Sequence, residues 1–233
     1  MSPASQPGRR SGPAAVVFDL DGVLVDSELT WDEARRQLAE ETGGRWHADA
    51  TREMVGMSSI EWSRYMHDRI GVPMSPEEIS DAVVERIAAL YRERLPLLSG
   101  AVESVRALAE RWPLAVASSS NRPVIDLVLE LAGIAEAFAV TVSSEEVEKG
   151  KPAPDVYLEA ARRLRVDPES CVAIEDSANG IRAAHTAGMA VIAIPNRDLP
   201  PDPKSQGLAA RVLTSLEELT PELVVEVGGE ARD

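Results

Sequence analysis

Five short apolar stretches set the narrowest limit on what this chain can fold into: residues 14–18, 113–117, 138–142, 171–174 and 190–194 are almost unbroken by polar side chains. A strand with one wet face would alternate apolar and polar residues. A continuous run belongs to a strand covered on both faces, as in a parallel sheet sandwiched between helices. Helical periodicity fills the gaps, over 102–111, 124–131, 155–164 and 178–187. This alternation predicts an α/β fold of the doubly wound, Rossmann-like kind.

One interval breaks the rhythm. From 29 to 98 there is no strand candidate, only the amphipathic segments 30–41, 60–70 and 76–94. The interval reads as a smaller helical domain inserted after the first strand, which leaves 14–28 and 99–227 as the α/β core. Residues 1–13 are rich in Pro, Ser, Gly and Arg, and 228–233 are Gly-rich and charged, so both are expected to be disordered tails.

Composition narrows the partners. A formal charge of −15 on 233 residues argues against a nucleic-acid or anionic-membrane surface, because either needs a basic patch. Cys171 is the single cysteine, so neither an intrachain disulfide nor a cysteine-rich metal site can form, which suits a cytoplasmic protein. Arg9 and Arg10 precede a short apolar run that meets two aspartates within a few residues, a poor export signal. No apolar stretch reaches the ~18 residues of a membrane span.

The chemistry gathers where the apolar runs end. The first leads into Asp19-Leu20-Asp21-Gly22, and in an open α/β sheet the carboxyl ends of the strands face the ligand crevice. Two carboxylates so close repel one another, and a hard divalent cation such as Mg²⁺ relieves the repulsion. The second run ends in Ser118-Ser119-Ser120-Asn121, hydroxyls and amides ahead of a helix N-terminus that can cradle a phosphate. After the third come Lys149 and Lys151, two of only three lysines in the chain, either able to neutralise a phosphate and a carboxylate together. The fourth ends in Glu175-Asp176-Ser177, which suits a metal ligand and its supporting neighbour. Each motif alone has a plainer explanation, a solvated loop or a helix cap. Their convergence on one edge of one sheet is what favours a site.

At these residues the chain resembles the haloacid dehalogenase superfamily, specifically its phosphatases with a helical cap after the first strand. Asp-Leu-Asp-Gly-Val-Leu-Val-Asp-Ser-Glu from Asp19 and Glu-Asp-Ser-Ala-Asn-Gly from Glu175 carry the resemblance, which covers about residues 14–219. It implies a sheet order of 3-2-1-4-5 with the site beneath the cap. It makes Asp19 the nucleophile and Asp21 the general acid and base, with Ser118 binding the phosphoryl group and Lys151 stabilising charge. Mg²⁺ would be held by Asp19, Asp21 through its backbone carbonyl, and Asp176, with Glu175 close by. Ser119 and Asn121 join the phosphate-binding candidates. The implied activity is Mg²⁺-dependent hydrolysis of small phosphate monoesters through an aspartyl phosphate, by a monomer, with a dimer as the alternative.

Within the superfamily, dehalogenases lack the second aspartate and the metal, whereas Asp21 and Asp176 are both present. The phosphonate-hydrolysing branch needs a cap lysine, and there is none between 29 and 98. A β-phosphoglucomutase is the stronger rival, but its cap histidine falls here on Trp31 and its cap arginine near Ser59. His47, Arg52, Arg64 and His67 do not match that pattern and are expected on the surface. A tryptophan soon after Asp-Ser-Glu instead resembles the hexitol-phosphate and 2-deoxyglucose-6-phosphate phosphatases, so Trp31 is either a substrate platform for a sugar phosphate or part of the cap's core. A binding module that kept the fold would be expected to have lost Asp19, Asp21, Lys151 or Asp176, and all four remain.

Overall fold

The computed structural model describes residues 12–54, 57–196 and 200–230. The five apolar runs form β1 (Ala15–Phe18), β2 (Leu114–Ser118), β3 (Phe138–Ser143), β4 (Cys171–Glu175) and β5 (Ala190–Ala193). All pair in parallel in the order β3-β2-β1-β4-β5, and a two-residue strand β6 (Arg211–Val212), preceded by the one-turn helix α9 (Pro203–Gln206), adds to the β5 edge. The order matches expectation; β6, too short to carry a pattern, was not legible beforehand.

The strands sort their side chains by size. Val16, Phe18, Leu114, Val116, Val172 and Ile174 point to one face, where they join the larger core cluster. Ala15, Val17, Ala115, Ala117 and Ala173 point to the other and meet the alanines of α7 (Asp155–Leu164) and α8 (Ala178–Thr186). Alternation of Cβ direction along a strand assigns one set to each face, so small residues on one side let those helices pack close. The larger face is covered by α5 (Ala101–Ala109), α6 (Arg122–Leu131) and α10 (Pro221–Glu230). Phe18 and Phe138 meet edge-to-face there, with centroids 6.0 Å apart.

Between β1 and α5 the named elements among the described residues are all helices: α1 (Glu28–Thr42), α2 (Ala50–Met54), α3 (Ser59–Tyr65) continuing into a π-helical turn (Met66–Ile70), and α4 (Pro76–Glu93). Capping explains where two of them start. Ser75 accepts from the Glu78 amide at 3.2 Å while Glu78 accepts from the Ser75 amide at 2.8 Å, with Pro76 in the first turn. Ser58 and Glu61 make the equivalent box for α3. The two chain segments that join this insert to the sheet pair with each other, Asp26 N to Pro96 O at 2.8 Å and Leu98 N to Leu24 O at 3.0 Å. The insert therefore stands on a double backbone stem rather than on two independent linkers.

The expected tails are partly ordered. Residues 228–230 belong to α10, and Gly228 lies against buried Pro13, whose Cδ would be 2.8 Å from a Cβ at that position. Close approach of two backbones accounts for the glycine that the sequence suggested was a tail residue. The rest of both tails, 1–11 and 231–233, lies outside the described residues. Among the described residues no helix is long and apolar enough to cross a membrane.

Candidate active site

Parallel register brings four strand ends to one edge. Phe18 is level with Val116 and Ile174, so Asp19, one residue on, emerges beside the ends of β2 and β4. Its amide donates to the Ile174 carbonyl at 2.9 Å, which continues the ladder and fixes where the side chain leaves the sheet. The chain then turns sharply at Gly22, whose φ of 75° is left-handed. A Cβ there would lie 2.0 Å from Asp176 Oδ2, so the turn needs glycine for space as well as for conformation.

Lys151 is the hub. Its ammonium lies 2.8 Å from Asp19 Oδ1 and 2.6 Å from Glu175 Oε1, and it is 6 % exposed. Burial alone would lower its pKa, but the two carboxylates outweigh burial and hold it above the ordinary lysine value. Lys149, the other lysine of the loop, is exposed. Glu175 is saturated: Lys151 and Tyr157 OH, at 2.7 Å, donate to one oxygen, and the Asp176 amide and the Ser177 amide and hydroxyl donate to the other. Burial would raise its pKa, yet Lys151 and these donors keep it lowered. Gly180 makes room for this carboxylate, since a Cβ there would fall 1.6 Å from Oε1.

Asp19, Glu175 and Asp176 place carboxylate oxygens within 4.8 Å of one another, all buried. Burial pushes Asp19 up to about 7, relieved by Lys151 and reinforced by Glu175 and Asp21. Asp176 is raised well above its ordinary value, first by burial and then by Glu175 and Asp19. Crowded, desolvated carboxylates of this kind form an oxygen-donor set suited to a hard divalent cation. The Asp21 carboxylate, expected as the general acid and base, is engaged by the β2 end and the insert. It accepts from Ser120 Oγ at 2.5 Å, Trp31 Nε1 at 3.1 Å and Ser118 Oγ at 3.4 Å.

The cavity over these acids is bounded on the core side by Asp19, Asp21, Ser119, Ser120, Lys151 and Asp176, and on the insert side by Trp31, Arg35, Thr51, Met54 and Trp62. Two sequence candidates are displaced from it. Ser118 is fully buried, its hydroxyl accepting from the Ser120 amide at 3.0 Å, and it does not border the cavity. Asn121 is turned towards the insert, donating to Ser80 Oγ on α4 at 3.1 Å and to Glu145 at 2.7 Å. Of the β2-end candidates, Ser119 and Ser120 border the cavity and Ser118 and Asn121 do not.

Trp31 belongs to the insert's core and also stands on the cavity wall. It is 8 % exposed and packs edge-to-face on Trp62 at 5.8 Å, yet it also borders the cavity and bonds to Asp21. His47, Arg52, Arg64 and His67 do not border the cavity. Sequence reading missed Tyr157, Ser177, Trp62 and Arg35. Arg35 alone left a signal, standing four residues after Trp31 and so on the same helix face.

Residues 13–188 match the family of haloacid dehalogenase-like hydrolases. The chain is 35% identical over 216 residues to hexitol phosphatase B of Escherichia coli (strain K12), covering 88% of this chain and 94% of that protein. It is 33% identical over 205 residues to the bifunctional riboflavin kinase/FMN phosphatase of Arabidopsis thaliana, of which it spans only 53%. The crystal structure of CbbY from Rhodobacter sphaeroides in complex with phosphate superimposes with a TM-score of 0.82 at 30% identity, over 92% of this chain and 99% of that one.

Proposed function

Because this chain belongs to the haloacid dehalogenase-like hydrolases, we propose that it is an Mg²⁺-dependent phosphatase that hydrolyses small phosphate monoesters, with sugar or sugar-alcohol phosphates as its substrate class. The single observation that carries the reading is the buried Asp19 carboxylate held 2.8 Å from Lys151 at the end of β1, inside a cluster of three acids. The similarity to hexitol phosphatase B supports the substrate class.

In the first step an oxygen of Asp19 attacks phosphorus and the ester P–O bond breaks, leaving an aspartyl phosphate. Asp21, bordering the same cavity, gives its proton to the departing alkoxide. In the second step a water that loses its proton to Asp21 attacks phosphorus, the bond to Asp19 breaks, and inorganic phosphate leaves. Lys151 offsets the charge of the incoming phosphoryl oxygens, and Glu175, with every oxygen engaged, holds Lys151 in place. Trp31 and Ser120 hold the Asp21 carboxylate in its orientation. Asp19, Asp176 and the backbone carbonyl of Asp21 would hold the cation. When bound it supplies electrostatic screening that lets a carboxylate approach a phosphate dianion. The insert forms the cap that closes the cavity over the substrate.

The test is phosphate release from p-nitrophenyl phosphate and a panel of hexose and hexitol phosphates, with Mg²⁺ and with excess EDTA. Release that stops on chelation is expected, together with a lower melting temperature for the chelated protein, since the cation links crowded acids. Full activity in EDTA with no metal retained would reject the metal reading, and no release from any ester would reject the phosphatase.

A further inference from the structure

Arg35 is a buried cation that makes no ion pair among the described residues. It sits on α1 one turn after Trp31, is 7 % exposed, and borders the cavity that Asp19 and Lys151 border from below. Its Nε donates to the Trp31 carbonyl at 3.0 Å, and its guanidinium carbon lies 5.9 Å from the ring centroids of both Trp31 and Trp62. A guanidinium carries five N–H donors, and this bond uses one. The four on the two terminal nitrogens have no hydrogen-bond or ion-pair partner among the described residues. Burial lowers its pKa to about 10, opposed from a distance by Asp32, Asp21 and Glu28, so it is charged at neutral pH.

A charge taken out of water is costly unless an opposite charge meets it. The two indoles recover part of that cost through cation–π contact, and they also fix the plane of the fork. An arginine held by Nε, oriented between aromatic faces and open at both terminal nitrogens is arranged to receive a carboxylate or phosphate through two parallel hydrogen bonds. At the core end of the cavity the transferred phosphoryl group would meet Lys151 and the cation that Asp19 and Asp176 would hold. Arg35 lies on the insert.

We infer that Arg35 forms an anion subsite at the insert end of the cavity, so that the phosphate monoesters this protein prefers carry a second anionic group remote from the phosphoryl group that is cleaved. The inference rests on the phosphatase reading and narrows its substrate class.

The test compares matched substrates, with Mg²⁺ and the full chain: 3-phosphoglycerate against glycerol 3-phosphate, and glucose 1,6-bisphosphate against glucose 6-phosphate. The first pair exchanges a carboxylate for a hydroxymethyl group; the second adds a phosphate. The anionic member of at least one pair is expected to show a kcat/KM higher by about tenfold or more, the scale of one hydrogen bond to a charged group, mainly through KM. That advantage is expected to shrink to about twofold or less in Arg35→Met and to survive in part in Arg35→Lys, which keeps the charge but loses the fork. An advantage confined to one pair identifies the anion as carboxylate or phosphate. Equal kcat/KM within both pairs in the wild type overturns the subsite and leaves the phosphatase standing. An advantage that persists undiminished in Arg35→Met places the subsite elsewhere and also overturns it. If Arg35→Met does not fold, an advantage undiminished in Arg35→Lys overturns the assignment in the same way. No phosphate release from any of the four esters or from p-nitrophenyl phosphate removes the phosphatase reading and the subsite with it.

Discussion

The two sides of the cavity are held in place to very different degrees. On the core side Lys151 is gripped by two carboxylates, Glu175 by five donors, and Asp19 by the ladder bond of its own amide. On the insert side, among the described residues, Trp31 makes one side-chain bond, Arg35 makes one, and Trp62 is held by packing alone. Groups tied by several partners hold their geometry when one partner is lost, which chemistry at phosphorus requires. Groups tied by one can be exchanged without disturbing the sheet, which a change of substrate requires. Core substitutions should therefore act on the chemical step, and insert substitutions on discrimination between substrates.

The largest expected effect is at Asp19. Asp19→Asn should lower turnover on every ester by about 10⁴-fold or more, as loss of a covalent nucleophile does. It should fold normally, because the asparagine still fits beside Lys151. Steady-state phosphate release measured alongside melting temperature checks both halves, and substantial turnover on any ester would remove the covalent mechanism.

Asp21→Asn sharpens the comparison from within the core. Loss of a general acid costs about 10²–10⁴-fold when the leaving group needs a proton, and much less when it is already stable. The deficit should thus be far deeper on a hexitol phosphate than on p-nitrophenyl phosphate. Equal deficits on the two would deny Asp21 the proton-transfer role.

Trp31 tests the boundary between the two sides, since it belongs to the insert but bonds to a core acid. Trp31→Phe keeps an aromatic ring facing Trp62 and removes the N–H that reaches Asp21 Oδ1 at 3.1 Å, together with part of the indole's packing. A bond to an ionisable partner is worth about 1.5–3 kcal/mol, so kcat on sugar phosphates should fall by roughly tenfold or more while melting falls less than in Trp31→Ala. Trp31→Ala should add a core loss of about 3–5 kcal/mol and melt markedly lower. Normal kcat in Trp31→Phe would mean that the serines at the β2 end suffice to orient Asp21.

How much of this was written in the sequence differs between the two sides for the same reason. The strands, their order and the residues at their ends were legible because a buried parallel strand leaves a continuous apolar run, and whatever follows it must emerge at one edge. Lys151, Asp176 and Asp19 were placed that way. Ser118 and Asn121 were legible as residues of the β2 end but not as to where they point, because one strand end carries several hydroxyls and amides and local hydrogen bonds choose among them. The turn of Asp21 towards Trp31 depends on how α1 docks over the sheet, which no local pattern encodes. Tyr157 lies 18 residues from the Glu175 it pins, inside a helix whose periodicity marks it only as core. Trp62 and Arg35 meet through packing of α1 on α3, again a tertiary event. The glycines of the last helix were misread because Gly228 and Gly229 score as helix breakers, while here contact with Pro13 makes the first of them necessary.

The smallest expected effect comes from the contact that joins the two sides away from the chemistry. Asn121, at the start of α6, donates to Ser80 Oγ on α4 and to Glu145, whose other oxygen accepts from the Arg122 amide at 3.0 Å; Ser59 on α3 donates to the same carboxylate at 3.4 Å. Insert and core are thus linked by a short polar chain in addition to the backbone stem. Ser80→Ala removes one neutral bond of that chain and leaves Asn121 its bond to Glu145. A bond of this kind is worth about 0.5–1.5 kcal/mol, and the affected group is part-buried rather than orphaned, so the lower half of that range applies. If the contact holds the insert over the cavity, KM for a sugar phosphate should rise by a few-fold, while kcat on p-nitrophenyl phosphate, a substrate that needs little from the insert, should stay near the wild-type value. Because the loss acts on a closing equilibrium and not on the reacting groups, a second change at Asp21 should add to it independently. A kcat deficit in Ser80→Ala as deep as that of Asp21→Asn would break the division between a rigid chemical side and an adjustable recognition side.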